Sequence, residues 1–565
     1  MPRKPVILAV DDDPLALDRV LDELRRRYAR DYEVAGESSA QAALTRIEGL
    51  AATGQPLALV LADQWLREPH VTGESVLGRT RELHAGAKRA LLVDWGAWGD
   101  DATEQAIVRA MATGLIDYYV VKPWRSPDES FHRAITDFLH EWMSGVGPQA
   151  IAVVGEPWAP SSHQIRRLLE RNGFPHVFHS VDSEQGKVLL SECGLDETCL
   201  PIVQMLDGRV LLDPSPTELM RACGIDTTIS DGAHFDVIVV GAGPGGLAAA
   251  VYATSEGLST LVVERESIGG QAGSSSLIRN YLGFARGIGG AELAMRAHQQ
   301  AWAFGARFLR MREAVALKPC NGQPHTVVIS DGTEVTATAV VLATGVTYRT
   351  LPLPELAALA GAGVFYGASR WEATALMGED VYIVGAGNSA GQAAIHLAKH
   401  ARLVTMLCRG RDLAVTMSQY LRDQILGTPN IEVRLRHEVV GGGGDARLER
   451  LDLRNNETGD VTTVPAAALF ILAGAEPRTN WLPEAIERDA GGYVVTGREG
   501  QSSFETTVPG VFAVGDVRSG APKRVAAAVG EGSVAIGQIH DYVAAKSAPA
   551  ERLVSAPRRS SPASS

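Results

Sequence analysis

The 565-residue chain has only five cysteines (Cys193, Cys199, Cys223, Cys320 and Cys408), and none of them forms a Cys-x-x-Cys pair. That excludes a vicinal redox dithiol, and five unpatterned thiols fit a reducing cytoplasm rather than a disulfide framework. Long hydrophobic runs are missing too: no stretch of about 18 uninterrupted apolar residues occurs, so no membrane span is expected. The N-terminal MPRKPVILAVDDD holds a short apolar run leading straight into acids, which reads as a β-strand and not as a signal peptide. Nor is there an excess of basic charge. Lys and Arg total 53 against 66 Asp and Glu, a formal net charge of −13, and with no helix-turn-helix pattern this argues against nucleic-acid binding. The remainder is an ordinary globular composition, 45% hydrophobic and 21% charged, with room for three or four domains.

The most informative stretch is FDVIVVGAGPGGLAAAVYATSEGLSTLVVERESIGGQ, residues 235–271. An apolar run enters Gly241-x-Gly243-x-x-Gly246, an Ala-rich helical segment follows, and a second strand ends at Glu264. Glycines at this spacing let backbone approach a pyrophosphate at a helix N-terminus, and an acid after the second strand accepts hydrogen bonds from a ribose. The same grammar recurs once, as Gly385-Ala-Gly387-Asn388-Ser389-Ala390, and here Arg409 and Arg411 lie just beyond the following strand. Guanidinium suits a 2′-phosphate and carboxylate suits a free 2′-hydroxyl, so the second site is expected to take NADPH and the first FAD. Two dinucleotide sites in one chain imply electron transfer between two cofactors.

From about residue 234 to 545 the chain resembles low-molecular-weight thioredoxin reductases. The resemblance is carried by GAGPGG, Gly269-Gly270-Gln271, Asn280-Tyr281, Ala343-Thr344-Gly345, GAGNSA, Ala473-Gly474-Ala475-x-Pro477, Val514-Gly515-Asp516 and Arg524-Val525 through Gly532. It implies an FAD domain in two parts, 234–352 and 474–545, with an NADPH domain, 353–473, inserted between them. Asp516 would then hold the ribityl chain, and the helix from Val525 would point its positive end at the flavin N1–C2 carbonyl. A homodimer is implied as well.

One departure is decisive. The family's Cys-x-x-Cys lies 17 residues before the NADPH-site glycines, and here those positions read Ala368-Ser369-Arg370-Trp371. Neither Ala368 nor Trp371 supplies a thiolate, so disulfide exchange by the family's route is closed. Trp371 would instead stack on or shield the isoalloxazine, or pack between domains.

Residues 1–145 read as a separate doubly wound α/β unit. Its strands end at Asp11-Asp12-Asp13, at Asp63 and at Lys122-Pro123, an arrangement of acids and a lysine suited to Mg²⁺. This stretch resembles response-regulator receiver domains. On that resemblance Asp63 accepts a phosphoryl group, Asp11, Asp12 and Asp63 hold Mg²⁺, Lys122 contacts the phosphate, Tyr119 is the switch aromatic, and a histidine kinase is the partner. Val93 or Asp94 stands where the family has a Thr or Ser, so a pseudo-receiver used for docking is the alternative.

Residues 149–226 resemble a thioredoxin or glutaredoxin fold, with Trp158-Ala159-Pro160-Ser161-Ser162 over the redox motif and Pro201 as the cis-proline. Ala159 and Ser162 then occupy the cysteine positions, and Cys199 is either a residual thiol near that site or a small buried apolar residue. The tail 546–565 is Ser/Ala/Pro-rich and expected to be disordered. The assembled expectation is a cytoplasmic, phosphorelay-linked NADPH:FAD oxidoreductase without its dithiol, passing electrons to an acceptor the sequence does not name. The alternatives are a flavin/NADPH redox sensor in a two-component pathway, and a reductase using dithiols supplied in trans.

Overall fold

A computed structural model of the chain describes residues 4–66, 72–96, 101–112, 115–143, 151–195, 199–225, 227–275, 277–320, 324–366 and 376–547. The chain forms two compact units. Met1–Cys223, Gly273–Glu292 and Tyr348–Ala475 make the first, and Gly224–Ala272, Leu293–Thr347 and Glu476–Ser565 the second.

The first unit starts with alternating strands and helices: β1 (Val6–Val10), α1 (Pro14–Tyr28), β2 (Glu33–Glu37), α2 (Ala40–Thr53), β3 (Leu57–Asp63), α3 (Gly73–Leu83), β4 (Lys88–Val93), α4 (Asp101–Ala112), β5 (Tyr118–Val121) and α5 (Glu129–Met143). The sheet order is β2-β1-β3-β4-β5, parallel throughout. Every residue of β1 (VILAV) and β3 (LALVLAD) is buried, as continuous apolar runs in a parallel sheet covered on both faces require. α1 begins where it does because the Asp13 carboxylate accepts the Leu15 N–H at 2.9 Å and Pro14 occupies the first turn. α5 turns Phe131, Ile135, Phe138, Leu139 and Trp142 inward. Complete burial of Phe138 alone stabilises the packing by about 2–3 kcal/mol.

Next comes a smaller module of β6 (Ile151–Gly155), α6 (Pro160–Arg171), β7 (His176–Ser180), α7 (Glu184–Cys193), β8 (Ile202–Gln204), β9 (Val210–Leu212) and α8 (Pro216–Ala222). Its sheet order is β7-β6-β8-β9, with β6 parallel to β7 and antiparallel to β8. The first unit is completed by a five-stranded parallel sheet, in which Asp380–Val384 lies between Ala468–Ile471 and Leu403–Cys408, and by an antiparallel meander over His437–Gly443, Arg450–Asn455 and Val461–Pro465.

The second unit is built on a seven-stranded sheet. His234–Val240 sits centrally between Thr260–Glu264 and Glu334–Leu342, all parallel, and Val511–Ala513 joins Glu334–Leu342 from the C-terminal part of the chain. Of the stretch 234–352, Gly273–Glu292 and residues 348–352 belong to the first unit. Among the described residues no helix is long and apolar enough to cross a membrane.

Candidate functional site

In the second unit, Gly241 takes φ +107° at the end of its strand, and a Cβ there would lie 2.3 Å from the Ala343 carbonyl oxygen. A Cβ on Gly246 would lie 1.9 Å from Gly241 O, so both positions need glycine for the strand-to-helix turn to close. Gly243 has a different role. It is the N-cap of helix Pro244–Ser255, offers no side-chain cap, and has open space within 4 Å of where its Cβ would stand. Free helix N–H groups facing open space form a cradle for a pyrophosphate. Glu264 is 8% exposed, and its two carboxylate oxygens accept the Ala242 and Glu266 N–H groups at 2.8 and 2.9 Å. These bonds fix the acid beside the glycine turn.

Gln271 lies in the short helix Gly270–Gly273, its amide donating to Val346 O at 3.4 Å, and Gly345 follows strand Glu334–Leu342 with φ +61°. Gly515 and Asp516 form a 3-10 turn, and Arg524 precedes helix Val525–Ser547. Sequence reasoning missed what holds that turn. Glu531 accepts the Gly515 N–H at 2.6 Å and pairs with Arg518 Nη2 at 2.6 Å. Burial raises the Asp516 carboxyl above its ordinary range, opposed by Lys523. Of the expected FAD-site residues, Asn280 alone lies in the 273–292 segment of the first unit.

The second glycine motif repeats this geometry within the first unit. Gly385 has φ +148° at the end of Asp380–Val384, Gly387 caps helix Asn388–Leu397 with open space at its Cβ position, and Ala390 is fully buried where the first motif has Gly246. The Asn388 side-chain Oδ1 accepts the Ser418 N–H at 2.8 Å, and Ser389 sits in the first helical turn. Arg409 and Arg411 follow strand Leu403–Cys408, both exposed. Cys408 is buried, which pushes its thiol up to about 11. Ala368 and Trp371 lie outside the described residues.

The third cluster occupies the C-terminal edge of the first sheet. Lys122 Nζ stands 2.8 Å from Asp11 Oδ2, 2.7 Å from Asp63 Oδ1 and 3.3 Å from Asp94 Oδ1. Carboxylate oxygens of Asp11, Asp12 and Asp63 lie within 4.8 Å of one another. Burial raises the Asp11 carboxyl and would lower the Lys122 ammonium, but its bonds to Asp11 and Asp63 hold Lys122 above its ordinary value. The second Asp63 oxygen accepts the Trp65 N–H at 2.9 Å. Three hard-oxygen donors and one compensating ammonium fit a divalent cation. Val93 closes β4, so Asp94 is the residue whose side chain meets the lysine, a contact that spacing does not reveal.

In the small module Ser162 is buried, and a Cβ on Gly155 would lie 2.4 Å from its Oγ and 3.3 Å from Pro201 Cβ. The Leu200–Pro201 bond is cis, and Ala159 caps α6 without a side-chain bond. Trp158 and His163, on either side of Pro160, pack on the neighbouring part of the first unit. Arg447 lies over the Trp158 ring at 5.2 Å, and His163 stacks on Phe365 at 5.4 Å. No cysteine in this module is in a disulfide.

Residues 235–532 match the pyridine nucleotide-disulphide oxidoreductase family model. A 34.2 kDa protein in the rubredoxin operon of Clostridium pasteurianum is 31% identical over 313 residues, covering 55% of this chain and 98% of that protein. The thioredoxin reductase of Treponema pallidum is 33% identical over 310 residues, 55% of this chain and 97% of its own. Among solved structures, the thioredoxin reductase of Lactococcus lactis in its FR conformation aligns with TM-score 0.52 and 26% identity, over 55% of this chain and 99% of that one.

Proposed function

Because the chain belongs to the pyridine nucleotide-disulphide oxidoreductase family, we propose that it oxidises NADPH through a bound FAD, hands the electrons to an acceptor outside the chain, and is coupled to a phosphorelay at Asp63. It is an FAD-dependent NADPH oxidoreductase of thioredoxin-reductase-like type. The observation that carries the reading is the pair of glycine turns, at Gly241–Gly246 and Gly385–Ala390, each delivering an uncapped helix N-terminus to open space. Bound FAD would supply the chemistry of accepting a hydride from NADPH. The residues' task is orientation: Gly243 and Gly387 admit the pyrophosphates, Glu264 marks the ribose end of the first site, Arg409 and Arg411 take the 2′-phosphate at the second, and Glu531 holds Gly515–Asp516.

The acceptor is not reached through a Cys-x-x-Cys of this chain, since none exists. It is a quinone, oxygen, an electron-transfer protein or a disulfide on a partner. The test is direct: reduce the flavin with NADPH, screen acceptors, and repeat with an aromatic disulfide dye after alkylation. Reduction of the flavin with slow, alkylation-insensitive dye turnover is expected. Brisk dye reduction abolished by alkylating one cysteine overturns it.

Residues 1–145 act as a receiver domain in this proposal, and 149–226 as a thioredoxin-like module without its dithiol. The parallel order β2-β1-β3-β4-β5 and the convergence of Asp11, Asp12, Asp63 and Lys122 support the first assignment. Asp63 Oδ attacks the phosphorus of a phosphohistidine on a kinase; a P–O bond forms, the P–N bond breaks, and the departing imidazole takes up a proton. Asp11 and Asp12 would hold Mg²⁺, which with the Lys122 ammonium would offset the added charge. A homodimer belongs to the same proposal. A second reading, favoured by the same acidic edge, makes the flavoprotein a redox sensor with little turnover; slow flavin reduction accompanied by a change in partner affinity distinguishes it.

A further inference from the structure

The Trp158–Ser162 stretch of the 149–226 module carries no thiol, and its face is not free. Ala159 stands at the N-cap of α6 with no side-chain bond, and Ser162 is buried against Gly155 and the cis-bonded Pro201. What lies against this face is the second dinucleotide fold, in the same unit. Trp158 packs on the core that holds Phe365, Val381, Ile383 and Phe470, with the Arg447 guanidinium over its ring at 5.2 Å. His163 stacks on Phe365, ring centres 5.4 Å apart and 26° from parallel. Backbone comes close at Gly361, where a Cβ would stand 3.3 Å from His163 Cβ and the φ of +85° also favours glycine.

These contacts fall on the strands that support the second glycine turn. Leu448, next to Arg447, donates its N–H to Ala362 O at 2.8 Å, so Arg447 and residues 361–365 belong to one surface. Strand Val364–Phe365 pairs with Ala468–Ile471 as Val364↔Leu469 and Phe365↔Phe470, and the two Phe rings are 5.1 Å apart. Ala468–Ile471 in turn pairs with Asp380–Val384 as Ile383↔Phe470 and Val384↔Ile471. Gly385 follows at once, and a Cβ there would lie 2.6 Å from Leu472 O, so the turn rests on the residue just past that strand. Phe365, Phe470 and Ile383 are all buried. A close-packed interior transmits a displacement and does not absorb it.

We propose that the 149–226 module is a fixed support of the second dinucleotide site, with the Trp158–His163 face as its interface and Trp158 and His163 as positioning residues for the Gly385–Ala390 turn. The inference rests on reading that turn as the NADPH site. Support of this kind needs no thiol: the two rings do the packing, and Ala159 and Ser162 between them need only be small enough to let the face close. The module is then no electron shuttle. It stays on residues 361–365 and Arg447 while NADPH binds and leaves, and it sets the affinity of the turn by holding Phe365 and the strands behind it in register.

The test titrates NADP⁺ into the intact, oxidised flavoprotein by calorimetry and follows amide hydrogen exchange over 361–365 and 381–387. Trp158→Ala/His163→Ala should weaken NADP⁺ binding several-fold and speed exchange in both stretches. FAD content should be unchanged, and the limiting rate of flavin reduction at saturating NADPH should fall far less than the affinity. Trp158→Phe/His163→Phe keeps two rings on the face and should restore most of the affinity. Arg447→Gln, on the other side of the contact, should shift affinity the same way by less, and it reads the interface should the double Ala variant fail to fold. Unchanged exchange in the variants overturns the inference. Faster exchange with unchanged NADP⁺ affinity overturns it too, since the face is then a plain contact that positions nothing. No NADP⁺ binding by the wild type overturns the reading of the second glycine turn, and the inference falls with it.

Discussion

Asp94 Oδ1 lies 3.3 Å from Lys122 Nζ, on the same ammonium that Asp63 approaches to 2.7 Å. A third carboxylate thus stands beside the position proposed to receive a phosphoryl dianion. Asp94 is 74% exposed, so solvent screens its repulsion to about 0.5–1 kcal/mol. Asp94→Thr should therefore strengthen beryllium fluoride binding by about two- to five-fold, since it removes the charge and supplies a hydroxyl. Titration by ¹⁹F NMR on both proteins measures this; weaker binding by the variant would show that Asp94 assists the site by ordering Lys122.

Gly243→Asp should abolish FAD retention without unfolding the protein. The space around a Cβ at Gly243 is open, so the fold accommodates the side chain, but a carboxylate there meets the pyrophosphate charge where backbone N–H groups must approach it. The purified variant should be colourless, with far-ultraviolet circular dichroism unchanged. Stoichiometric FAD in that variant would remove the first glycine motif from the flavin site.

How far these features were legible depends on the range of the interaction. The two glycine turns could be read because their chemistry is local: strand, turn, helix and the following charged residue lie within about thirty residues of one another. The acids and lysine of the first sheet could be read because parallel strands bring their C-terminal ends to one edge. Three contacts had no such signal. Asp94 with Lys122, the Glu531 carboxylate with the Gly515 N–H, and Arg286 with Asp137 and Glu141 join groups whose spacing in sequence has no period. The packing of the 273–292 segment in the first unit has no local signal either, because it depends on contacts such as that of Arg286 with Phe138. Trp158, which opens the Trp158–Ser162 stretch, lies under Arg447, a contact between residues far apart in sequence.

Acid should weaken the second unit partly through His298. Burial, assisted by Arg310, pushes this imidazole down to about 4, and its ring packs edge-on to Phe308 at 4.5 Å. The unfolded chain therefore binds the proton more readily than the native one. Stability from the neutral ring is present above the ordinary histidine range near 6.5 and is lost as pH falls from there towards 4. His298→Phe keeps a ring at the position and removes the titration. Denaturant midpoints measured from pH 7.5 to 4.5 should show the variant gaining on the wild type as pH falls; a constant difference between the two would exclude His298 as a source of acid sensitivity.

Nucleotide choice gives the most direct reading of the second glycine site. Arg409 and Arg411 are exposed and follow strand Leu403–Cys408, just past the strand end that the buried Glu264 occupies at the first site. Guanidinium contacts to a 2′-phosphate are charge-assisted and contribute about 1.5–3 kcal/mol, whereas the free hydroxyl of NADH offers them nothing comparable. Arg409→Ala should accordingly lower the preference for NADPH over NADH by about tenfold or more, chiefly by weakening NADPH. FAD content should be unchanged, because the residue lies outside the first site. Rates of flavin reduction over a range of both nucleotides decide the matter. If the ratio is unaffected, Arg411 takes the role; if Arg409→Ala/Arg411→Ala also leaves it unaffected, the second site does not select for the 2′-phosphate and the assignment of NADPH as donor fails.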